Sequence, residues 1–219
     1  MKAVILDFDG LILDTETPLF TSWKEVCEGY GVSMDPAWWA NLLTAQAEPP
    51  EAYAYIEERA SVRIDREQIR RTRAARELHL IAAQTVMPGV AGVISQTKAL
   101  SLRLGIASNS ERTWVTEHLE RLGLLGEFDA IRCRDQVARP KPWPDSYLAV
   151  LEALGAAPGE AMAFEDSPVG VSAAKAAGVF CVAVPNAVTK QLTFPLADII
   201  LPSLAEVSIT RLIDASRRS

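Results

Sequence analysis

Short apolar runs separated by amphipathic stretches dominate the hydrophobic pattern along this chain. The first run is Ala3–Leu6, and similar runs recur at 104–107, 161–164, 180–184 and 199–201. Nearly continuous apolar runs of this length are typical of strands buried on both faces of a parallel sheet. Their alternation with helical patterns favours right-handed crossovers. The pattern therefore predicts a doubly wound, Rossmann-like α/β layer.

Polar capping residues and terminal glycines mark the ends of the helices between these runs. The clearest start is Ser167 followed by Pro168, which is an N-cap with proline at the first helical position, and Gly178 closes that helix. Two further helices are predicted from the same kinds of signal. Their predicted caps and ranges are Ser110 before 111–122 and Asp145 before 146–154.

Residues 15–86 break this pattern because they contain no strand-like run. Trp23 begins a series of apolar residues at helical spacing, and 65–84 has the pattern of one long helix. We therefore predict an all-helical cap domain at 15–86, inserted into an α/β core formed by 1–14 and 87–219.

The charge balance excludes some classes of partner. The chain has 219 residues and a net charge of -6, so neither nucleic acid nor an anionic membrane surface is an expected partner. An acidic protein that binds an anion must concentrate positive charge locally, in a metal site or a well-placed lysine. The three cysteines are far apart in sequence and form neither a metal motif nor a disulfide framework. They predict reduced thiols and a cytoplasmic location.

Two carboxylates follow the first predicted strand, in Asp7-Phe8-Asp9-Gly10. The carboxyl edge of a parallel sheet is where α/β proteins bind ligands. Like charges at this spacing raise the pKa of one carboxyl, so the pair suits an ionised nucleophile beside a protonatable acid/base. The alternative is an ordinary polar turn after the strand, because short motifs recur by chance.

Two polar positions further along the chain could bind a phosphate. Ser108-Asn109 follows the second predicted strand directly before a helix, where a hydroxyl and free amides can cradle an anion. Lys141 lies between two prolines, which stiffen the backbone and fix the direction of its side chain. Each has a plainer interpretation: Ser108 could form a capping box with Glu111, and Lys141 could be a surface lysine.

Adjacent acids, Glu165-Asp166, end another apolar run. Mg²⁺ takes oxygen ligands and is typically held by one or two carboxylates plus a substrate phosphate. Alternatively, Asp166 simply caps the next helix. All of these positions fall at the carboxyl ends of predicted strands, and hence at one edge of one sheet. A phosphate bound beside so many carboxylates needs both Mg²⁺ and Lys141 to offset the negative charge.

Taken in order, these motifs resemble those of the haloacid dehalogenase (HAD) superfamily, and the resemblance covers essentially the whole chain. The helical insertion is similar to the small helical cap of that superfamily. The branch that holds β-phosphoglucomutase and many sugar-phosphate phosphatases is the most similar. The motifs that carry the resemblance are Asp7-Phe8-Asp9-Gly10-Leu11-Ile12-Leu13-Asp14-Thr15-Glu16, Ser108-Asn109, Lys141-Pro142 and Glu165-Asp166-Ser167-Pro168 with Gly170.

The resemblance implies a Mg²⁺-dependent phosphatase that acts through an aspartyl-phosphate. Asp7 would attack phosphorus, while Asp9 would protonate the leaving oxygen and then activate water. Lys141 would neutralise charge on the nucleophile and the phosphoryl group. The implied substrate contacts are Gly10, Ser108, Asn109 and Lys141. The implied Mg²⁺ ligands are Asp7, the main-chain carbonyl of Asp9, and Asp166, with Glu165 as a further ligand or directly behind them.

Other activities of the superfamily fit these residues less well. A halide leaving group needs no protonation, so Asp9 argues against a dehalogenase. A phosphonatase needs a cap lysine for a Schiff base, and Lys24 is the only lysine within 15–86. A phosphomutase is the serious alternative, but its cap carries a histidine shortly after the hinge and an arginine that grips the second phosphate. Leu19 stands at the first position, and Ala45-Gln46-Ala47-Glu48-Pro49 contains no cation at the second.

Two features of the predicted cap have double interpretations. The arginines between 59 and 76 could line a substrate entrance, but we favour a solvated helix face paired with Glu67 and Glu77. Trp38 and Trp39 could stack on a sugar, but we favour packing in the core. A catalytically silent binding module is a further alternative, against which the complete set of acids, serine and lysine argues. We expect a monomer that acts on a small phosphorylated metabolite.

Overall fold

A computed structural model describes residues 1–43 and 50–218 of the chain. The chain divides into two compact units. The α/β unit consists of Met1–Leu13, Thr85–Asn186 and Thr193–Ser219, and the helical unit consists of Asp14–Gln84 and Ala187–Leu192.

A six-stranded parallel sheet forms the centre of the α/β unit, which confirms the predicted fold class. The strands are β1 (Ala3–Leu6), β2 (Arg103–Ala107), β3 (Ala130–Arg132), β4 (Ala161–Glu165), β5 (Phe180–Ala183) and β6 (Ile199–Ile200). Their order in the sheet is β3-β2-β1-β4-β5-β6. Every residue of β1 is fully buried, as its unbroken apolar sequence predicts.

Helices flank the sheet and build the helical unit. The helices of the α/β unit are α5 (Val90–Ala99), α6 (Arg112–Arg121), α7 (Asp145–Leu154), α8 (Pro168–Ala176) and α9 (Ile209–Ser216). Those of the helical unit are α1 (Glu16–Gly29), α2 (Pro36–Leu43), α3 (Pro50–Ala60) and α4 (Arg66–Ala82). Within the α/β unit, α7 packs on β2 and β3, while α8 packs on β4 and β5. No helix in the described part of the chain is long and apolar enough to cross a membrane.

Three local predictions were wrong or incomplete. Strand β3 was missed because it has three residues and ends in the charged Arg132. The N-cap of α6 is Glu111, which makes no side-chain capping bond, and the Ser110 hydroxyl donates to Asp9 instead. Asp145 is the first residue of α7 and not its cap, since its carboxylate pairs with Arg139. In contrast, Ser167 caps α8 as predicted, accepting a bond from the Gly170 N–H.

An aromatic core holds the helical unit together. Trp23 and Trp39 are fully buried, and their ring centroids lie 6.1 Å apart. Trp38 is partly buried and stacks on Tyr55 at 4.0 Å. Both tryptophans of the Trp38-Trp39 pair therefore take part in core packing, which is the interpretation that we favoured. Leu19 also packs against this core.

The arginine-rich helices of this unit carry internal ion pairs. Arg70 and Arg71 both pair with Glu67, and the buried Arg73 pairs with Glu77, as predicted. Two further pairs join different helices, namely Arg66 with Glu57 and Arg76 with Glu25. The exposed arginines among them fit the solvated helix face that we favoured, whereas Arg73 is buried.

A short segment after β5 belongs to the helical unit, although the predicted boundaries left it in the α/β core. It covers Ala187–Leu192 and contains a single turn of 3-10 helix at Thr189–Gln191. Val188 is buried in the aromatic core, and Leu192 packs against it. The apolar side chains at these two positions explain why the segment groups with the helices.

The three cysteines are free thiols buried in the structure. Burial raises the pKa of Cys27 to about 11 and that of Cys133 to about 12. Burial also raises the pKa of Cys181. All three thiols therefore stay protonated at neutral pH, where a protonated thiol is a poor nucleophile.

Candidate active site

The carboxyl ends of three neighbouring strands bring the predicted acids to one place. Leu6 of β1 is level with Ile106 of β2 and Phe164 of β4, so the residues that follow emerge at the same height. Asp7 follows β1, and Glu165 is the last residue of β4. The parallel ladders thus place the two carboxylates side by side at the edge where α/β proteins bind ligands.

Lys141 joins these two acids in a buried ion-pair network. Its Nζ lies 2.5 Å from Asp7 Oδ1 and 2.6 Å from Glu165 Oε1. The side chain is only 4% exposed, so solvent screens the network weakly. Burial alone would lower the pKa of Lys141, but the carboxylates of Asp7 and Glu165 raise it above its usual value. The lysine therefore stays cationic, as its predicted role requires.

Asn109 positions the Lys141 backbone. Its side-chain oxygen accepts a bond from the Lys141 N–H at 2.8 Å, and its amide nitrogen donates to the Lys141 carbonyl at 3.2 Å. The sequence analysis expected Asn109 to hold phosphoryl oxygens. In the structure both polar atoms of its side chain bond the Lys141 backbone, and the expected phosphoryl contact stays a prediction.

Three carboxylates, those of Asp7, Glu165 and Asp166, form a cluster with the dimensions of a metal site. One oxygen from each lies within 4.8 Å of the others. Oxygen Oε2 of Glu165 is buried without a hydrogen-bond partner. Burial raises the pKa of Asp7 to about 8: Lys141 lowers it, but the nearby charges of Glu165 and Asp9 raise it.

This donor set fits a hard divalent cation such as Mg²⁺, because all of its potential ligands are carboxylate oxygens. A cation would also supply the positive charge that keeps Asp7 ionised at neutral pH. Oε1 of Glu165 already accepts hydrogen bonds from Lys141 and Tyr147. The Glu165 oxygen that is left to contact a cation is therefore Oε2, which has no hydrogen-bond partner among the described residues.

Two glycines let the backbone approach these acids closely. Gly10 has a φ of +75°, and a Cβ there would lie 2.7 Å from Asn186 Nδ2 and would clash with Asp166. A Cβ at Gly170 would overlap the Glu165 carboxylate. The missing side chain at Gly10 therefore lets the backbone approach Asp166, and the expected substrate contact of Gly10 stays a prediction.

Asp9 lies outside the three-acid cluster and is held by its own donors. Its Oδ2 accepts from the Ser110 hydroxyl at 2.7 Å and from the Ser108 hydroxyl at 3.4 Å. Its Oδ1 accepts from the indole Nε1 of Trp114 at 3.0 Å. Both side-chain oxygens of Asp9 are thus engaged by donors, and its predicted metal contact stays the main-chain carbonyl.

Besides Ser110, which was taken only as a helix cap, sequence reasoning missed three residues that contact the predicted site residues. Tyr147 donates to Glu165 Oε1 at 2.5 Å, and Asn186 donates to Asp166 Oδ2 at 2.7 Å and to the Gly10 carbonyl at 3.3 Å. Trp114 is the third. Asn186 could have been found, because it closely follows an apolar run as the other site residues do. No comparable signal marks Tyr147 or Trp114, which lie within helices.

The raised pKa of Asp7 predicts how the stability of the metal-free protein depends on pH. Folded Asp7 keeps its proton up to about pH 8, whereas unfolded Asp7 loses it near its ordinary value of 3.8. Between these values the folded state binds more protons, so the free energy of unfolding falls as pH rises, by at most about 1.4 kcal/mol per pH unit. Asp7→Asn should remove this loss.

The measurement is thermal unfolding of both proteins in chelator at pH 5 and at pH 8. The Tm of the wild type should fall relative to that of Asp7→Asn as pH rises, and added Mg²⁺ should restore it. A difference in Tm that does not change with pH would contradict the assigned burial effect.

Comparisons with known proteins agree with this geometry. A family model described as "Haloacid dehalogenase-like hydrolase" matches residues 4–184. The "Putative phosphatase YhcW" of Bacillus subtilis is 39% identical over 215 residues, 98% of this chain and 97% of that protein. The "Phosphorylated carbohydrates phosphatase" of Thermotoga maritima is 32% identical over 181 residues, 82% of each chain.

A solved structure agrees as well. The crystal structure of a "putative beta-phosphoglucomutase" from Thermotoga maritima matches with a TM-score of 0.76 and 28% identity, over 98% of this chain and 99% of that one. Family match, relatives and fold all agree with the resemblance found in the motifs. The chain therefore belongs to the haloacid dehalogenase-like hydrolase family.

Proposed function

We propose that this hydrolase is a Mg²⁺-dependent phosphatase of small phosphorylated metabolites, with sugar phosphates as the favoured class. The observation that carries the proposal is the buried contact of Lys141 with Asp7 beside two further carboxylates. This pairing supplies a nucleophile, a fixed positive charge and a metal-binding set at one edge of the sheet.

The first half-reaction transfers the phosphoryl group to Asp7. An oxygen of the Asp7 carboxylate attacks phosphorus while the bond from phosphorus to the leaving oxygen breaks. Asp9 gives a proton to that oxygen, so the alcohol departs neutral. Lys141 stabilises the charge that gathers on the phosphoryl oxygens, because its Nζ is already fixed beside the nucleophile. The Ser108 hydroxyl, which lies beside Asp9, donates to a phosphoryl oxygen.

The second half-reaction hydrolyses the aspartyl-phosphate. Asp9 is now ionised and takes a proton from a water molecule, whose oxygen attacks phosphorus. The bond between phosphorus and the Asp7 oxygen breaks, which releases inorganic phosphate and restores both carboxyl groups. Because the proton given up in the first half returns in the second, Asp9 serves as acid and then as base.

Asp7, Asp166 and the main-chain carbonyl of Asp9 would hold the Mg²⁺ ion, with Glu165 beside them. When bound, the ion neutralises phosphoryl charge and polarises the bonds to phosphorus. We assign Glu165 to orienting Lys141, because its Oε1 accepts from both Lys141 and Tyr147. Asn186 orients Asp166 through its 2.7 Å bond.

The relatives support this substrate class, since one of them is named a phosphatase of phosphorylated carbohydrates. We place the reaction in the cytoplasm and assign it to a monomer. The buried free thiols support a reducing compartment. Because the chain has a net charge of -6, an anionic substrate must be attracted by positive charge concentrated at the site itself.

Hydrolysis is favoured over isomerisation by the helical unit. A mutase must grip the far phosphate of a bisphosphate, ordinarily with cationic groups. Leu19, at the position where the mutase has a histidine, packs against the aromatic core. Five of the arginines between 59 and 76 are already paired with glutamates. The second position, Ala45-Gln46-Ala47-Glu48-Pro49, lies outside the described residues, and the argument there stays its sequence, which contains no cationic residue.

A panel of phosphate esters tests the proposal. It contains glucose 6-phosphate, fructose 1-phosphate, ribose 5-phosphate, glycerol 3-phosphate and p-nitrophenyl phosphate, each with Mg²⁺ and with Asp7→Asn as the blank. We expect release of inorganic phosphate from at least one sugar phosphate. No release from any ester would refute the phosphatase assignment.

A second assay separates hydrolysis from isomerisation. β-Glucose 1-phosphate is supplied with a trace of the 1,6-bisphosphate, and both free phosphate and glucose 6-phosphate are followed. We expect phosphate to form faster, because water and not a second sugar hydroxyl reaches the intermediate. Faster formation of glucose 6-phosphate would identify a mutase.

A further inference from the structure

Trp114 supplies a hydrogen bond to Asp9 that the reaction scheme above does not use. The residue lies on α6, and its indole N–H donates to Asp9 Oδ1 at 3.0 Å. The other carboxylate oxygen, Oδ2, accepts from the Ser110 hydroxyl at 2.7 Å. The two oxygens of the proposed acid/base therefore have different partners, one an indole and the other a hydroxyl.

The indole is itself fixed in place within the α/β unit. His118 lies one helical turn further along α6, and its ring meets the indole edge-on at a centroid distance of 4.2 Å. His118 is also stacked with Phe8, at a centroid distance of 6.4 Å, and Phe8 is fully buried and precedes Asp9 in sequence. A side chain held by such packing presents its N–H in one direction.

The chemistry of the two donors distinguishes the two oxygens. An indole N–H can only donate, so the oxygen that it contacts must keep a lone pair facing it. A serine hydroxyl can donate or accept after rotation, so its partner oxygen can gain or lose a proton without losing the bond. Oδ1 is thereby anchored, while Oδ2 is free to exchange a proton.

We propose that Trp114 is a positioning residue for the general acid/base: its indole N–H anchors Asp9 Oδ1, so that Asp9 exchanges its proton with the leaving group through Oδ2. This inference rests on the proposed phosphatase function. Oδ2 is also the oxygen that lies 3.4 Å from the Ser108 hydroxyl, the proposed phosphoryl contact. The anchor thus directs the exchangeable proton to the side of Asp9 where the phosphoryl group is expected.

The test compares substrates that differ in their need for an acid. A sugar phosphate has a poor leaving group that must be protonated, whereas the aryl oxygen of p-nitrophenyl phosphate leaves readily without a proton. The ratio kcat/KM depends on the steps up to phosphoryl transfer to Asp7. Trp114→Phe keeps an aromatic ring and removes the N–H.

We expect Trp114→Phe to lower kcat/KM about tenfold for the fastest sugar phosphate of the panel. This loss is smaller than the full contribution of a general acid, because Asp9 itself is retained. The same ratio for p-nitrophenyl phosphate should change less than about twofold. The matched control is Trp143→Phe, which alters a half-exposed indole stacked on Arg139 and should leave both values unchanged. Equal losses on both substrates, or no loss on either, would overturn the inference.

A measurement without turnover covers the case in which Trp114→Phe folds poorly. The chain has five tryptophans, so its ¹⁵N–¹H spectrum contains few indole signals. Asp9→Asn should shift the Trp114 signal upfield, because a neutral amide accepts a weaker hydrogen bond than a carboxylate. The other four signals should stay in place. An unmoved Trp114 signal would refute the contact.

The outcomes also separate this inference from the proposed function. A wild-type protein that cleaves no ester of the panel would refute the phosphatase assignment, and the indole signal would still test the anchor. A wild-type phosphatase in which Trp114→Phe leaves the ratio of the two substrates unchanged would refute the anchor alone.

Discussion

Replacing Asp7 by asparagine should reduce turnover by at least about a thousandfold while the protein stays folded. The amide is close in shape to the carboxylate but lacks the anionic oxygen that attacks phosphorus. Lys141 keeps its second partner, Glu165 Oε1 at 2.6 Å, so the surrounding network should survive the change. The loss should therefore appear in kcat, in a variant that stays folded.

The measurement is phosphate release from the fastest ester of the panel, together with acid quenching of enzyme mixed with ³²P-labelled substrate. The wild type should carry label on the peptide that contains Asp7, and the variant should carry none. Asp214→Asn is the matched control, because Asp214 is exposed and pairs with Arg217 at the far end of the chain. Label or substantial turnover in Asp7→Asn would exclude covalent catalysis by this residue.

Removal of divalent cations should abolish the activity of the enzyme. Asp166→Asn should raise the Mg²⁺ concentration needed for half-maximal activity by at least about a hundredfold. Asp166 is buried and contributes one of the three clustered oxygens. The substitution keeps the size of the side chain but removes its charge, which weakens the attraction for a dication more than it disturbs packing.

Activity is followed against Mg²⁺ concentration after treatment with chelator, and Mg²⁺ binding is followed separately by calorimetry. Asp198→Asn is the control, because this aspartate lies in the same unit but pairs with Lys175. Both the activation curve and the binding curve should shift for Asp166→Asn alone. Full activity in excess chelator would remove the metal from the mechanism.

The sheet and the acids of the site were predictable because each rests on a local rule. A buried parallel strand must be apolar throughout, so a carboxylate such as Asp7 at its end is conspicuous. Parallel strands then bring their ends to the same edge, which unites Asp7 with Glu165 although they are far apart in sequence. Lys141 depended on the motif resemblance, since a loop position has no such rule.

The remaining contacts depend on packing that the sequence pattern does not encode. Tyr147 and Trp114 lie on helices, where an aromatic residue predicts burial but not the target of its polar atom. Asn109 was assigned to the phosphate from its position, but nothing in the sequence indicated its bonds to the Lys141 backbone. The cap of α6 was misplaced for a similar reason, because Ser110 is engaged by a distant carboxylate.

The segment Ala187–Leu192 makes the helical unit discontinuous in the gene as well as in the chain. Its apolar residues complete the aromatic core although they are encoded about a hundred codons after the main insertion. A homologous recombination event that exchanges only residues 14–84 would leave Val188 and Leu192 facing a foreign core. An exchange of the whole helical unit must therefore include two separate stretches of sequence. The loop after β5 is thus expected to evolve together with the helices of that unit.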